Sequence, residues 1–154
     1  MPTLGGRCTP DGTQRFRDRF PELAPDHFTQ DGGRWLSSVG LGTYSAMDHP
    51  SRTRQLSAAV QYLVTRGCNV IDTAPNYADG NAEQAVGQGI AALQTNGLAR
   101  RNEIFVATKA GIVPPSVIGP LAVGDIDGLE CLTVLPDGLC FDPVYLRWQV
   151  ERSR

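Results

Sequence analysis

Two patterns alternate along the middle of this chain. Short apolar runs end in a polar or charged residue, and each is followed by a longer stretch with apolar side chains at helical spacing. Trp35 to Leu41 is the first run; it passes into Gly42-Thr43-Tyr44 and reads as a short strand with a tight turn. From Ser51 onward Leu56, Ala59, Val60, Leu63 and Val64 share one helical stripe, and Gly67 stands where a C-terminal helix glycine belongs. Cys68 to Ile71 is the second run and ends at Asp72. Ala82, Val86, Ile90 and Leu93 then mark a helix over 81–93, closed by Asn96-Gly97. Arg100, Arg101 and Asn102 lead into the third run, Ile104 to Thr108, which ends at Lys109. Strand, helix, strand at this spacing predicts parallel βαβ crossovers.

The flanks read differently. Residues 1–34 are rich in glycine, proline and charge; one or two helical turns fit Arg15 to Phe20, and the rest reads as a partly ordered arm. Residues 110–139 read as a long loop, with Leu132 to Leu135 and the turn Pro136-Asp137-Gly138 forming a small hairpin inside it. Long structured loops on β/α domains often cover an active face. Asp142 is a good N-cap and Pro143 a good first helical residue, so a last helix starts there, with Leu146, Gln149, Val150 and Ser153 turned inward. That helix is still running at Arg154, and the chain reads as truncated within it. The expected organisation is an arm over 1–34 and one α/β unit over 35–154.

Composition narrows the function. With 154 residues, 41% of them hydrophobic and 19% charged, the chain has enough for one globular core. A net charge of −2 points away from nucleic acid and from anionic membrane surfaces. No apolar run is long enough to span a membrane, and no basic start leads into an apolar core, so a cytoplasmic protein is expected. The four cysteines show no CxxC pair and there are two histidines, so no metal-site spacing is present. Free thiols are expected in preference to a Cys131–Cys140 bridge. Gly87 and Gly89 lie inside a helix, not in the turn that opens one after a strand, and so read as close helix packing and not as a dinucleotide fingerprint.

Asp72, Tyr77 and Lys109 carry the candidate chemistry. A phenol ordinarily titrates near ~10, too high for easy proton donation at neutral pH. An ammonium beside it favours the phenolate, and a carboxylate keeps that ammonium charged and oriented. Such a phenol can protonate a carbonyl oxygen as hydride reaches the carbon. Taken singly, Asp72 reads as a turn cap, Tyr77 as a rim aromatic and Lys109 as a solvated strand end. Their shared place at the ends of neighbouring strands is what argues for a site.

The stretch from Leu36 to Gly111 resembles the aldo-keto reductases. The matching pieces are Val39-Gly40-Leu41-Gly42-Thr43-Tyr44, Asn69-Val70-Ile71-Asp72-Thr73-Ala74-Pro75-Asn76-Tyr77, Glu83-Gln84-Ala85-Val86-Gly87 and Val106-Ala107-Thr108-Lys109-Ala110-Gly111. The segment from Pro143 to Ser153 resembles the family's third barrel helix, and Gly12 to Phe20 an extension carried by one bacterial branch. The resemblance implies an α/β fold: a partial (β/α)8 TIM barrel made of the first three β/α units. It implies reduction of small-molecule aldehydes or ketones with NADPH. It makes Tyr77 the general acid and Asp72 and Lys109 its supporting pair. Gly42, Thr43 and Tyr44, with Asp72, then lie beside the nicotinamide end of the cofactor.

The family's fourth catalytic residue is a histidine on the strand after this last helix, and neither His27 nor His49 stands there. Most groups that hold the rest of NADPH also come from later strands. The expectation is therefore a chain inactive by itself. The alternative is a non-catalytic fragment or subunit that associates through an open sheet edge, with a copy of itself or with a second chain supplying the missing barrel half. A barrel aldolase using Lys109 as a Schiff base ranks last, because that chemistry needs a lowered lysine pKa and Asp72 would raise it.

Overall fold

The computed structural model describes residues 6–44, 50–129 and 132–153. Its architecture is α/β: an antiparallel pair of strands, a three-stranded parallel sheet, and helices against both.

The N-terminal segment departs from the expected partly ordered arm. Helix α1 (Pro10–Arg17) is capped by Thr9, whose hydroxyl accepts from the Gly12 N–H at 3.0 Å. Proline at the first turn and arginines in the last suit a short helix. Phe16 is fully buried in the main core, where it meets Phe28 edge-on. The helix touches the rest of the chain so closely that a Cβ on Gly12 would clash with the Asn102 carbonyl. Strands β1 (Phe28–Asp31) and β2 (Arg34–Ser37) pair as a hairpin around Gly32 and Gly33, both at positive φ.

The apolar run from Trp35 to Leu41 is therefore not one strand. It breaks after Ser37, and β3 (Gly40–Gly42) begins a separate, parallel sheet in the order β3-β4-β5 with β4 (Val70–Asp72) and β5 (Phe105–Ala107). Gly42, Asp72 and Ala107 lie side by side in register at the same ends of the three strands.

Helices α2 (Pro50–Val64) and α3 (Asn81–Thr95) make the two crossovers. Val60 and Val64 from α2, with Val86, Ile90 and Leu93 from α3, bury against Ile71 and Ile104. A Cβ on Gly89 would sit 2.8 Å from the Val60 side chain, so this glycine lets the two helices touch, as its place inside the helix implies. On the outer faces Ala59, Leu56 and Leu63 stay half-buried.

The segment 110–139 is more ordered than a loop. It contains helix α4 (Pro115–Ala122), with Val117 and Leu121 buried one turn apart. The turn at Pro136-Asp137-Gly138 forms as expected, with the Leu135 N–H donating to the Leu139 carbonyl at 2.8 Å across it, and Leu139 also bridges back to Ile112. Helix α5 (Pro143–Arg152) has the expected cap, Asp142 accepting from the Val144 N–H at 2.8 Å. Of its expected inward face, Gln149 is buried and Leu146 packs on the apolar cluster, whereas Val150 is exposed and Tyr145, not expected there, is buried. These helices share a second apolar cluster with Val113, Leu129 and Cys140.

Among the described residues no helix is long and apolar enough to cross a membrane. Cys8, Cys68 and Cys140 are free thiols; Cys131 and His49 lie outside the described residues.

Tyr145 gives a stability test. Its side chain is fully buried, its hydroxyl has no hydrogen-bond partner among the described residues, and burial pushes the phenol up from 10.0 to about 12. The unfolded chain ionises this group above pH ~10 while the folded chain keeps it neutral. Its contribution is thus intact below pH ~10 and declines as pH rises through ~12, by a few kcal/mol at most. Tyr145→Phe is expected to remove that alkaline loss. At pH 7 it should raise stability by about 1 kcal/mol, because an unpaired buried hydroxyl is gone. Urea melts at pH 7 and pH 11 read both effects; a large loss at pH 7 would show that the hydroxyl is paired after all.

Candidate active site

The strand ends converge on one ion pair. Asp72 closes β4, and Lys109 follows β5 by two residues. Lys109 Nζ donates to Asp72 Oδ1 at 2.9 Å, to Asp72 Oδ2 at 2.8 Å and to the Thr73 carbonyl at 3.0 Å. All three ammonium protons thus have acceptors, which fixes the side chain. The hydrogen bond that Lys109 donates to Asp72 is the main cause that raises the Lys109 pKa. Both side chains remain about half exposed, at 47% and 50%, so water screens the pair and its work is orientation more than stability. A raised pKa also keeps Lys109 charged, which tells against a Schiff-base amine.

Tyr77 stands over this pair. Lys109 Nζ lies 4.8 Å from the centre of the Tyr77 ring, and the edge of Tyr44 meets the same ring at 5.1 Å between centroids. The three expected residues, Asp72, Tyr77 and Lys109, are therefore together, and Tyr44 joins them.

The backbone around Tyr77 is unusual. A 3-10 turn spans Tyr77–Gly80, and within it Ala78 (φ 47°) and Asp79 (φ 53°) are left-handed, followed by Gly80 at φ 87°. Left-handed backbone costs an L-residue ~1–2 kcal/mol, so two in a row need holding. Asp79 Oδ1 accepts from the Ser116 N–H at 3.0 Å and from its hydroxyl at 2.9 Å. Asn81 Nδ2 donates to the Ala78 carbonyl at 2.8 Å. At the next strand end, Thr108 donates to Glu83 at 2.6 Å, tying β5 to α3 just before Lys109.

The turn after β3 is open. A Cβ on Gly42 would meet nothing within 4 Å. The Thr43 N–H donates to the Asp72 carbonyl at 3.0 Å, yet the buried hydroxyls of Thr43 and Thr73 have no partner among the described residues. A hollow of about 250 Å³ lies beside Gly42, Thr43 and Tyr44, bounded by Leu56, Ala78 and Ala82. A larger cleft, about 610 Å³, lies before β5 among Arg15, Arg19, Arg100 and Glu103, and Asp72, Tyr77 and Lys109 do not line it. His27 is also remote from the site: its Nε2 is 2.9 Å from the Gly67 carbonyl. Among the described residues no cluster of three His, Cys, Asp or Glu side chains is placed to hold a metal.

Sequence reasoning missed Asp79, Ser116, Glu83 and Thr108 as parts of this arrangement. Acid, serine and threonine are common in turns, and no spacing rule pairs Asp79 with a residue 37 positions away.

The chain is similar in sequence to several known proteins. An aldo-keto reductase of Bombyx mori is 44% identical over 71 residues, 46% of this chain and 21% of its own length. The methylglyoxal reductase YeaE of Escherichia coli is 34% identical over 74 residues, 48% of this chain and 24% of its own. An NADH-specific methylglyoxal reductase of the same bacterium is 37% identical over 83 residues, 51% of this chain and 24% of its own. The chain thus matches less than a quarter of each of these relatives. Among solved structures, an aldo/keto reductase from Klebsiella pneumoniae in complex with NADP and acetate is 33% identical with a TM-score of 0.42, over 51% of this chain and 25% of that one. The profile of the Aldo/keto reductase family matches residues 38–125, more than half of the sequence, and the chain belongs to that family.

Proposed function

We propose that this chain carries the proton-donating half of a carbonyl reductase site that works with a nicotinamide cofactor, NADPH in the first instance. The observation that carries the reading is the Lys109 ammonium, held by both Asp72 oxygens and aimed at the Tyr77 ring. In this reading the three parallel strands and their helices are the first β/α units of a (β/α)8 barrel, and the site lies at their C-terminal ends.

The cofactor supplies hydride when bound. The residues present fit its nicotinamide end: Gly42 leaves open space, and the Thr43 and Thr73 hydroxyls are buried and unpaired beside it. Gly42, Thr43, Tyr44 and Asp72 would border it. Tyr77 Oη gives its proton to the carbonyl oxygen of the substrate. Lys109 stabilises the phenolate left behind, and Asp72 with the Thr73 carbonyl keeps Lys109 charged and in place. Two of the relatives are named for methylglyoxal reduction, which makes methylglyoxal a reasonable first substrate to try.

The test is binding of NADPH to the purified protein, followed through quenching of Trp35 and Trp148, together with methylglyoxal-dependent oxidation of NADPH at rising protein concentration. Saturable binding is expected. Turnover that grows faster than protein concentration would mean that chains combine to complete the site. No saturable binding of either nicotinamide cofactor would sink the reading.

A second reading has its own observation. Among the described residues β3 and β5 are each paired on one side alone, and unpaired strand edges invite further strands. In that reading the chain is a non-catalytic subunit whose β5 edge accepts a second polypeptide carrying later strands of the same family. Light scattering on the purified chain and on a mixture with such a polypeptide separates the cases: a one-to-one complex favours this reading, whereas a lone monodisperse monomer or a homo-oligomer opposes it.

A further inference from the structure

We propose that Asp79 and Ser116 form a clamp that positions Tyr77, so that the segment 110–139 sets where the proton donor stands. This rests on Tyr77 being the donor, as argued above. Tyr77 is half-buried and its own N–H is tied to the Ala74 carbonyl at 3.1 Å, but the chain after it runs through Ala78, Asp79 and Gly80 in left-handed backbone. Ala78 has no side chain able to stabilise that course. Asp79 has, and its Oδ1 takes both the N–H and the hydroxyl of Ser116. Ser116 lies in the first turn of α4, where backbone N–H groups have no partner within the helix and a carboxylate is favoured.

The other end of the clamp is anchored. Val117 and Leu121 of α4 bury in the second apolar cluster, beside Cys140 and Tyr145. On the near side, Tyr44 and Lys109 fix the ring of Tyr77. A shift of α4 is thus carried through two hydrogen bonds to the residue two places beyond Tyr77. Asp79 and Ser116 touch neither ring nor ammonium; they are positioning residues.

Near-ultraviolet circular dichroism reads the position of Tyr77 without turnover. The Tyr77 band is the spectrum of the protein minus that of Tyr77→Phe, and its sign and size depend on the edge-on contact with Tyr44. Asp79→Ala is expected to lose most of this band, and Ser116→Ala, which keeps the backbone N–H bond, a smaller part of it, while far-ultraviolet spectra stay unchanged. Asp79→Asn keeps an acceptor oxygen and accepts left-handed backbone, so it should keep the band. Asp79→Gly also accepts that backbone but has no acceptor, and should lose the band as Asp79→Ala does. A full band in Asp79→Ala, or a band kept by Asp79→Gly and lost by Asp79→Ala, would overturn the clamp. Failure of the reductase reading shows elsewhere, as absent cofactor binding by the unsubstituted protein, and leaves this spectrum untouched.

Discussion

Tyr77→Phe is expected to lower carbonyl reduction by ~10²–10⁴-fold, the usual worth of a positioned general acid, while NADPH affinity changes little. The substitution removes one oxygen and keeps the ring. Both ring contacts, the edge of Tyr44 and the Lys109 ammonium, survive in phenylalanine. The Asp72–Lys109 pair keeps its three hydrogen bonds, to Asp72 and Thr73, although Lys109 loses the smaller interaction with the Tyr77 hydroxyl that also raises its pKa. Fold and cofactor side should therefore be preserved, and melting should move by less than about 0.5 kcal/mol, as for changes that touch no buried group. Steady-state rates of methylglyoxal reduction and cofactor titrations on the same preparations decide the matter. Parallel losses of turnover and cofactor binding would make Tyr77 a structural residue and remove it from the acid's role.

The elements that build this site were readable for a definite reason. Ala82, Val86, Ile90 and Leu93 repeat at helical spacing and are all buried, and the short runs ending at Asp72 and Lys109 are neighbouring parallel strands. Local periodicity carries that information. A shared strand end is then enough to bring Asp72 and Lys109 within hydrogen-bonding reach.

What was not legible depends on partners distant in sequence. The Trp35–Leu41 run looks continuous, yet Ser37 is captured by Asn69, 32 residues away, and the chain breaks there. Helix α4 was hidden by Pro120 and Gly119, residues that ordinarily argue against a helix; Val117 and Leu121 hold it because a second cluster waits for them. In α5 the inward place of Gln149 was readable, but not its partners: it donates to the Ile112 carbonyl at 2.9 Å and accepts from the Gly111 N–H at 2.8 Å. Those bonds bring Tyr145, one turn earlier, into the core and leave Val150 outside. The order in residues 10–37 has the same origin: the Thr13 hydroxyl accepts from the Trp35 N–H at 3.0 Å, and Phe16 fills a core whose other side chains lie much later in the chain.

Asn69 is where these distant bonds meet, and Asn69→Ala is expected to cost about 4 kcal/mol of folding stability, a large part of what a domain has. The side chain is fully buried just before β4. Its Oδ1 accepts from the Ser37 N–H at 2.9 Å, and its Nδ2 donates to the Trp35 carbonyl at 2.9 Å and to the Glu103 carbonyl at 3.2 Å. One amide thus joins the hairpin, the parallel sheet and the approach to β5. Removing it leaves up to three backbone groups without partners in a place water does not reach, at roughly 1–3 kcal/mol each. Asn69→Asp should be no better: it keeps an acceptor for Ser37 but sets a carboxylate against two carbonyl oxygens, and a buried unpaired charge is worse than a neutral gap. Glu103, itself held by Arg19 at 3.0 Å, would lose the neighbour that fixes its backbone. Urea denaturation with far-ultraviolet detection measures the loss. A cost under about 1 kcal/mol for the alanine variant would mean that the hairpin and the parallel sheet are joined mainly by apolar contacts around Phe16 and Phe28, and that the amide is replaceable.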